Sequence, residues 1–194
     1  ANSPFYGLSR QVSSLREAVL ILGFSNLRGV VLSAGLIGAF SDGEAISRSL
    51  ATAAAARSLA RSLRLDQSLA FTAGLLHNLG ALLLGHFDPD RWQALATESF
   101  EAADIRLLRE RQIFGFDHCE LGADIAGDWR FPAAIQTAIC LHPQPPDAPA
   151  DALTDLVHAA WVISATGRPG DCLTIKPAVL RRLGLTTQDG EAYL

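Results

Sequence analysis

Three of the five histidines in this sequence stand where their imidazole nitrogens could converge on one metal ion. His77 lies in the apolar segment 74–80, which reads GLLHNLG. His118 is predicted to begin one helix and His142 to end another, so the three rings would come from separate elements. Imidazole binds transition metals, and a metal with open coordination positions can activate water for hydrolysis. These residues are therefore candidates for the site of a metal-dependent hydrolase.

The carboxylates that such chemistry usually needs are hard to find around these histidines. His77 is followed by the neutral Asn78, and no HxxxH or HExxH spacing occurs. Two interpretations stay open. His77, His118 and His142 could hold a single divalent transition metal such as Zn²⁺ or Ni²⁺, or they could hydrogen-bond to neighbouring groups inside a core. The second interpretation is favoured, so the sequence predicts no catalytic residue and no bound metal.

Two further pairs of residues have a chemical and a structural interpretation. Cys119 next to His118 could form a nucleophile and base, but no third group that would orient the histidine is apparent. Asp117 before His118 is typical of a helix N-cap, and we favour capping over ligand binding there.

Charge and cysteine usage exclude several classes of protein. Sixteen basic and twenty acidic residues give a net charge of −4, which argues against a nucleic-acid-binding protein. The three cysteines are an odd number without CxxC spacing, so neither a disulfide framework nor a thiolate zinc site is indicated, and a reducing cytoplasm is the expected location. The apolar segment 69–87 contains two histidines, and we expect a buried helix rather than a membrane span.

Apolar residues recur at three- and four-residue spacing almost throughout the chain, which predicts an all-α domain. Gly74 and Gly80 are expected to let crossing helices approach closely. Trp129 and Trp161 are expected to anchor the core, whereas the Arg57, Arg61 and Arg64 stripe is expected to be a solvated face. The predicted helices cover 14–23, 25–40, 41–65, 66–87, a short helix from 88 through 92, a helix ending at 115, and then 117–129, 131–142, 153–165 and 176–184.

Several motifs, in order along nearly the whole chain, resemble the HDOD family of bacterial signalling domains. The opening NSPFYG, the GLLHNLG segment and the later FGFDH segment carry the resemblance. The matching positions include Asn2, Ser3, Gly74, Gly80, Gly122, Trp129 and Pro132. The resemblance implies a multi-helix bundle like that of the HD and HD-GYP phosphohydrolases, in a family generally regarded as regulatory and non-catalytic.

The resemblance also implies that the metal site of the catalytic relatives is degenerate here. Their first histidine corresponds to Arg48, their His-Asp pair to His77 and Asn78, and their last aspartate to Trp161. His118 and His142 correspond to later histidines, so imidazoles remain while the carboxylates are lost. A site for two cations would be unfavourable with an amide and a guanidinium at these positions. The candidate pocket residues are Arg48, His77, Asn78, His118 and His142.

The leading functional expectation is a signal-transduction module that acts through protein partners, fused signalling domains or a bound nucleotide. The alternative is a metal-dependent phosphohydrolase acting on a nucleotide or cyclic dinucleotide. A weaker third hypothesis is a sensor of a small anion, with Arg48 as the counter-charge.

The domain organisation expected is a single domain over residues 1–194, with a lobe boundary at the proline-rich stretch 143–151. The chain contains no methionine. Together with the resemblance, this leads us to expect a fragment whose preceding helices are missing.

Overall fold

The computed structural model describes residues 42–96, 103–147, 151–165 and 175–185, with isolated positions from 31 to 40. These residues form helices and no strand, as predicted. The motif residues Asn2 and Ser3 lie outside the described residues, as do most positions of the helices predicted over 14–23 and 25–40. The helices are α1 (Gly43–Ser62), α2 (Gln67–Leu76), α3 (Leu79–Phe87), α4 (Pro89–Ala96), α5 (Ala103–Phe114), α6 (His118–Asp128), α7 (Ala133–Leu141), α8 (Ala152–Ala165) and α9 (Pro177–Leu183).

Helix boundaries follow local capping chemistry. Asp66 accepts hydrogen bonds from the backbone N–H groups of Ser68 and Leu69, and so starts α2 as predicted. The capping residue of α1 is Asp42, which accepts from Ala45 N, whereas the sequence pattern places this helix start one residue earlier, at Ser41. The predicted ends near Gly115 and Gly184 are confirmed, since both glycines adopt the left-handed conformation that favours glycine, with φ of 85° and 65°.

The apolar segment is not the single helix that its composition predicts. It divides at His77–Asn78 into α2 and α3. The 21-residue stretch Gln67–Phe87 is long and apolar enough to cross a membrane, but 67% of its most apolar window is buried inside the protein, as in a core helix. The break matters for function because it places His77 at the end of a helix, where backbone carbonyls lack helical partners.

The core contains two groups of helices, and small residues allow close packing within each group. Helix α1 packs on α2 and α8, while α6 packs on α7 and α3. Gly80 and Gly122 let α3 and α6 touch backbone to backbone: a Cβ on Gly80 would overlap the His118 carbonyl and lie 2.9 Å from Gly122 N. The same holds for Gly74, where a Cβ would lie 3.0 Å from the α1 backbone. The close-approach role predicted for Gly74 and Gly80 is confirmed.

The predicted anchoring role of the tryptophans is only partly correct. Trp129 is 45% exposed, because it is the C-cap of α6 and faces outward, so the expectation of a core anchor is wrong there. Phe131 fills the core position instead, at 4% exposure. Trp161 is half-buried and its ring packs edge-on against His142, with ring centroids 5.3 Å apart.

Candidate functional site

Two of the candidate histidines occupy the same position at the ends of different helices. His77 is the C-cap of α2, and its Nδ1 lies 2.7 Å from the Gly74 carbonyl oxygen. His142 is the C-cap of α7, and its Nδ1 lies 2.9 Å from the Ile139 carbonyl oxygen. A carbonyl can only accept, so each Nδ1 carries the proton and donates it to a carbonyl three residues back. In the neutral ring this leaves Nε2 with a free lone pair.

His118 is oriented by a buried carboxylate that sequence analysis missed. It is the first residue of α6, directly after the N-cap Asp117. Glu110 from α5 receives both the backbone N–H of His118, at 2.8 Å, and its Nδ1–H, at 2.6 Å. The Glu110 side chain is fully buried. Glu110 stands on the preceding helix, eight residues before His118, and no sequence motif marked the pair.

The capping interpretation of Asp117 is confirmed. Its side chain accepts from Glu120 N while the Glu120 side chain accepts from Asp117 N, which is a complete capping box. Arg111 binds the Asp117 carboxylate at 2.6 Å. The start of α6, and with it His118, is therefore fixed by both backbone and side-chain contacts.

The structure brings His77, His118 and His142 together. The rings of His77 and His142 have centroids 4.9 Å apart, and those of His118 and His142 lie 6.1 Å apart. All three residues are buried, at 2%, 8% and 1% exposure. Trp161 borders His142 and Trp92 borders His118, at a ring distance of 6.3 Å. We call His77, His118 and His142 the histidine cluster.

Burial keeps at least two rings of the histidine cluster neutral near pH 7. Removal from water lowers the pKa of His77 from 6.5 to about 4, with smaller lowering contributions from His118 and Arg48. Burial likewise holds the pKa of His142 well below its usual value, and the neighbouring His77 and His118 lower it further. Neutral imidazole is the form that binds metals.

Glu110 is a charged carboxylate whose two oxygens already accept hydrogen bonds from protein groups. Burial alone would raise its pKa, but hydrogen bonds and charge from His118, with the charge of Arg106, outweigh burial and lower it. Arg106 Nε binds the second carboxylate oxygen at 3.1 Å. The Arg106 guanidinium also lies 5.0 Å from the centre of the Trp92 ring. Both oxygens of Glu110 are therefore engaged by protein groups.

Cys119, His118 and Glu110 form a continuous chain of side-chain contacts. The Cys119 Sγ lies 3.3 Å from His118 Nε2, while His118 Nδ1 is held by Glu110. The orienting group that the sequence failed to show therefore exists. Burial, followed by the charges of Asp117 and Glu110, raises the pKa of the Cys119 thiol, and only 1% of the residue is exposed. A protonated, enclosed thiol does not act as a nucleophile at neutral pH.

The other two candidate residues are less buried than the histidine cluster, and Arg48 is exposed. Arg48 binds Glu44 at 3.1 Å on the surface of α1, and its charge still contributes to lowering the pKa of His77. Asn78 is half-buried at the break between α2 and α3, where it precedes α3 without forming a side-chain cap hydrogen bond.

A fourth histidine links the histidine cluster to the end of the described chain. His158 on α8 donates its Nδ1–H to the His142 carbonyl, at 2.7 Å, and its Nε2 accepts from Lys176 N, at 3.2 Å. Burial lowers the pKa of His158 as well, so it too favours the neutral form. No sequence motif indicated a role for His158, because its partners are 16 and 18 residues away.

The donor atoms that come closest together are not the three predicted histidines. Within the described ranges, a nitrogen of His118, the Cys119 sulfur and a nitrogen of His142 all lie within 4.8 Å of one another. His77 is next to this group but outside it. Nitrogen and sulfur donors suit soft and borderline transition metals, whereas Mg²⁺ and Ca²⁺ require oxygen ligands.

The chain belongs to the HDOD family. The sequence profile of the HDOD domain matches residues 1–145, which is most of the chain. This match confirms the family resemblance and agrees with the helical fold. No curated protein matches the sequence.

Several solved structures are similar to this one. The MmoQ response regulator of Methylococcus capsulatus is 26% identical, with a TM-score of 0.62 over 100% of this chain and 80% of its own. A Shewanella amazonensis protein with a provisional phosphohydrolase assignment is 25% identical, with a TM-score of 0.71 over 94% of this chain and 72% of its own. An HDOD domain protein of unknown function from Geobacter sulfurreducens is 24% identical, with a TM-score of 0.72 over 99% of this chain and 72% of its own.

Proposed function

We propose that this chain is a regulatory, non-catalytic signal-transduction module that acts through protein partners, fused signalling domains or a bound nucleotide. Membership of the HDOD family supports a signalling role, as does the similarity to a response regulator over 80% of that protein's length. The net charge of −4 argues against nucleic-acid binding and the buried apolar segment against membrane insertion, while three cysteines without CxxC spacing favour a reducing cytoplasm.

The observation that supports a non-catalytic function is that the carboxylates near the histidine cluster are already bound by other protein groups. Glu110, a buried carboxylate next to the cluster, already binds His118 and Arg106. The buried Asp117 caps α6 and binds Arg111. Trp161 packs an indole ring against His142. Phosphoester hydrolysis with two hard cations needs carboxylates that bridge and neutralise them. The described residues around the cluster supply imidazoles and a thiol in their place.

The alternative is a metal-dependent phosphohydrolase acting on a nucleotide or cyclic dinucleotide. It is favoured by the convergence of His77, His118 and His142 and by the provisional assignment of the Shewanella protein. In this alternative the three imidazoles would hold the metal, which would supply Lewis-acid activation of water for phosphoester hydrolysis.

A turnover assay separates the two functions. The purified protein is incubated with Mn²⁺, Mg²⁺ or Zn²⁺ and with a chromogenic phosphodiester, a mononucleotide or a cyclic dinucleotide. We expect the wild type to release no more product than His118→Ala, with His86→Ala as the control because His86 is an exposed histidine outside the cluster. Turnover that His118→Ala abolishes and His86→Ala retains would overturn the non-catalytic proposal.

A further inference from the structure

The structure assigns a second property to the histidine cluster: we propose that His118, Cys119 and His142 form a mononuclear site for a soft or borderline transition metal, with Zn²⁺ as the expected ion. The ligand atoms are His118 Nε2, Cys119 Sγ and His142 Nε2. This inference goes beyond the regulatory function and does not depend on it, because a bound metal can stabilise or sense without catalysing a reaction.

The distances fit such an ion. Zinc binds imidazole nitrogen at about 2.0 Å and thiolate sulfur at about 2.3 Å, so tetrahedral ligand atoms stand about 3.5 Å apart. The His118 Nε2 to Cys119 Sγ distance is already 3.3 Å. The three donor atoms lie within 4.8 Å of one another, so small rotations of the rings bring them onto one ion.

The hydrogen bonds around the rings are those of metal-binding histidines. Ligating imidazoles usually donate their second ring N–H to a carboxylate or a backbone carbonyl, which fixes the tautomer and the ring orientation. His118 does this to Glu110, and His142 does it to the Ile139 carbonyl. Glu110 is thus a positioning residue for the proposed site rather than a ligand.

The surrounding charge favours a cation in place of the thiol proton. The buried carboxylates of Asp117 and Glu110 flank the start of α6, where Cys119 lies. When a divalent ion binds, the thiol proton leaves to solvent as the metal–sulfur bond forms, and the two carboxylates then face a net positive centre. His77, whose ring is 4.9 Å from that of His142, is placed to contribute a fourth ligand.

Cobalt(II) is the probe that tests the ligand set, because it replaces zinc and its spectrum reports thiolate ligation. The wild-type protein is produced in a defined medium supplemented with Co²⁺, since the buried site is best loaded during folding. We expect about one equivalent of bound cobalt, with tetrahedral visible bands and a thiolate-to-cobalt charge-transfer band. Cys119→Ser should lose the charge-transfer band, and Cys140→Ser, which removes the half-buried thiol on α7, should retain it.

A second variant tests the positioning role of Glu110. Glu110→Gln should weaken metal binding about 10- to 100-fold in a competition titration with a chelator, because the His118 ring loses its charged acceptor. Its charge-transfer band, once cobalt is saturating, should remain at the wild-type position. A structural role alone would change the unfolding midpoint without changing the affinity for metal.

Three results would overturn the metal site: wild-type protein that retains no cobalt, a charge-transfer band that survives Cys119→Ser, or binding unaffected by both variants. If Cys119→Ser does not fold, X-ray absorption of the wild type decides the question. One sulfur at about 2.3 Å supports the site, and a shell of nitrogen and oxygen alone contradicts it. Failure of metal binding leaves the regulatory function intact, since that proposal fails only on turnover.

Discussion

At the scale of single residues, the histidine cluster shows how a helix end can select one tautomer. His77 and His142 each cap a helix and return the Nδ1 proton to a carbonyl three residues back. That carbonyl would otherwise lack a partner at the end of the helix. One contact therefore satisfies a buried backbone group and directs the basic nitrogen away from it. The conformation of each ring follows from its position at the helix end and does not need a bound ligand.

The low pKa of His77 predicts a loss of stability in acid for protein treated with a chelator. Its pKa is about 4 in the fold, against 6.5 when it is unperturbed. Between these values the unfolded chain binds the additional proton, so the free energy of unfolding falls as the pH is lowered through this window and is fully restored above it. His77 alone should contribute about 2 kcal/mol to the difference between about pH 7.5 and about pH 5.

Urea unfolding at both pH values measures this contribution. His77→Gln keeps a donor for the Gly74 carbonyl but does not titrate, so its stability should change about 2 kcal/mol less than that of the wild type. His86→Gln, on the exposed end of α3, serves as the matched control and should behave like the wild type. Parallel pH profiles for the wild type and His77→Gln would contradict the prediction.

At the scale of helices, Gly80 sets the position of His118. It lies directly against the backbone of α6, and a Cβ there would overlap the His118 carbonyl and approach Gly122 N at 2.9 Å. Backbone atoms held by a capping box cannot move aside as a flexible side chain could. The crossing of α3 and α6 therefore tolerates only glycine at this point.

Gly80→Ala should destabilise the protein by about 3 kcal/mol, because overpacking against backbone forces the two helices apart. Gly43→Ala is the control, since nothing lies within 4 Å of a Cβ at that position. The control should change the free energy of unfolding by no more than about 1 kcal/mol. Denaturant unfolding measures both variants, and a Gly80→Ala protein as stable as Gly43→Ala would disprove the close approach.

The elements that sequence analysis predicted well are those with local signals. Caps at Asp66 and Asp117 and glycine ends at Gly115 and Gly184 each depend on a few adjacent residues, and the structure has them where predicted. The break at His77 was missed because continuous apolar residues on both sides are typical of one long helix. No proline marks it in the sequence, and Asn78, a residue type common at N-caps, precedes α3 without forming a side-chain cap hydrogen bond.

The site was less predictable because its decisive contacts are between helices. The helix positions of His118 and His142 were predictable, and their convergence was a hypothesis raised by the residues and supported by the family resemblance. Glu110 was missed because its link to His118 depends on the angle between α5 and α6, which periodicity does not encode. The prediction that Trp129 anchors the core was wrong because the way α6 packs on its neighbours decides which side of its end is buried. The sequence shows only a large apolar ring, which is typical of a core residue.

At the scale of the whole molecule, hydrogen bonds connect the last described helix, α9, to the loop that begins at His142. Arg182 on α9 binds both carboxylate oxygens of the buried Asp155 on α8, at 2.6 and 2.7 Å. Its guanidinium also donates to the carbonyls of Pro146 and Asp147, at 3.1 and 3.2 Å. Lys176 and His158 hold the Pro145 and His142 carbonyls. Four carbonyls of this loop are therefore held by side chains from α8, from α9 and from Lys176, which directly precedes α9.

These hydrogen bonds predict that a substitution in α9 alters the environment of His142 in the histidine cluster. Arg182→Met should lower the urea midpoint, because the Asp155 carboxylate, only 1% exposed, loses its bidentate partner. Hydrogen exchange should accelerate in α9 and in the 143–147 loop while α1 and α2 stay protected, and the ring signals of His142 should shift in NMR spectra. Arg181→Met, an exposed neighbour on the same helix, should change neither exchange nor the His142 signals. If the two variants behave alike, the histidine cluster is insulated from the C-terminal segment, and a signal arriving through α9 would need another route.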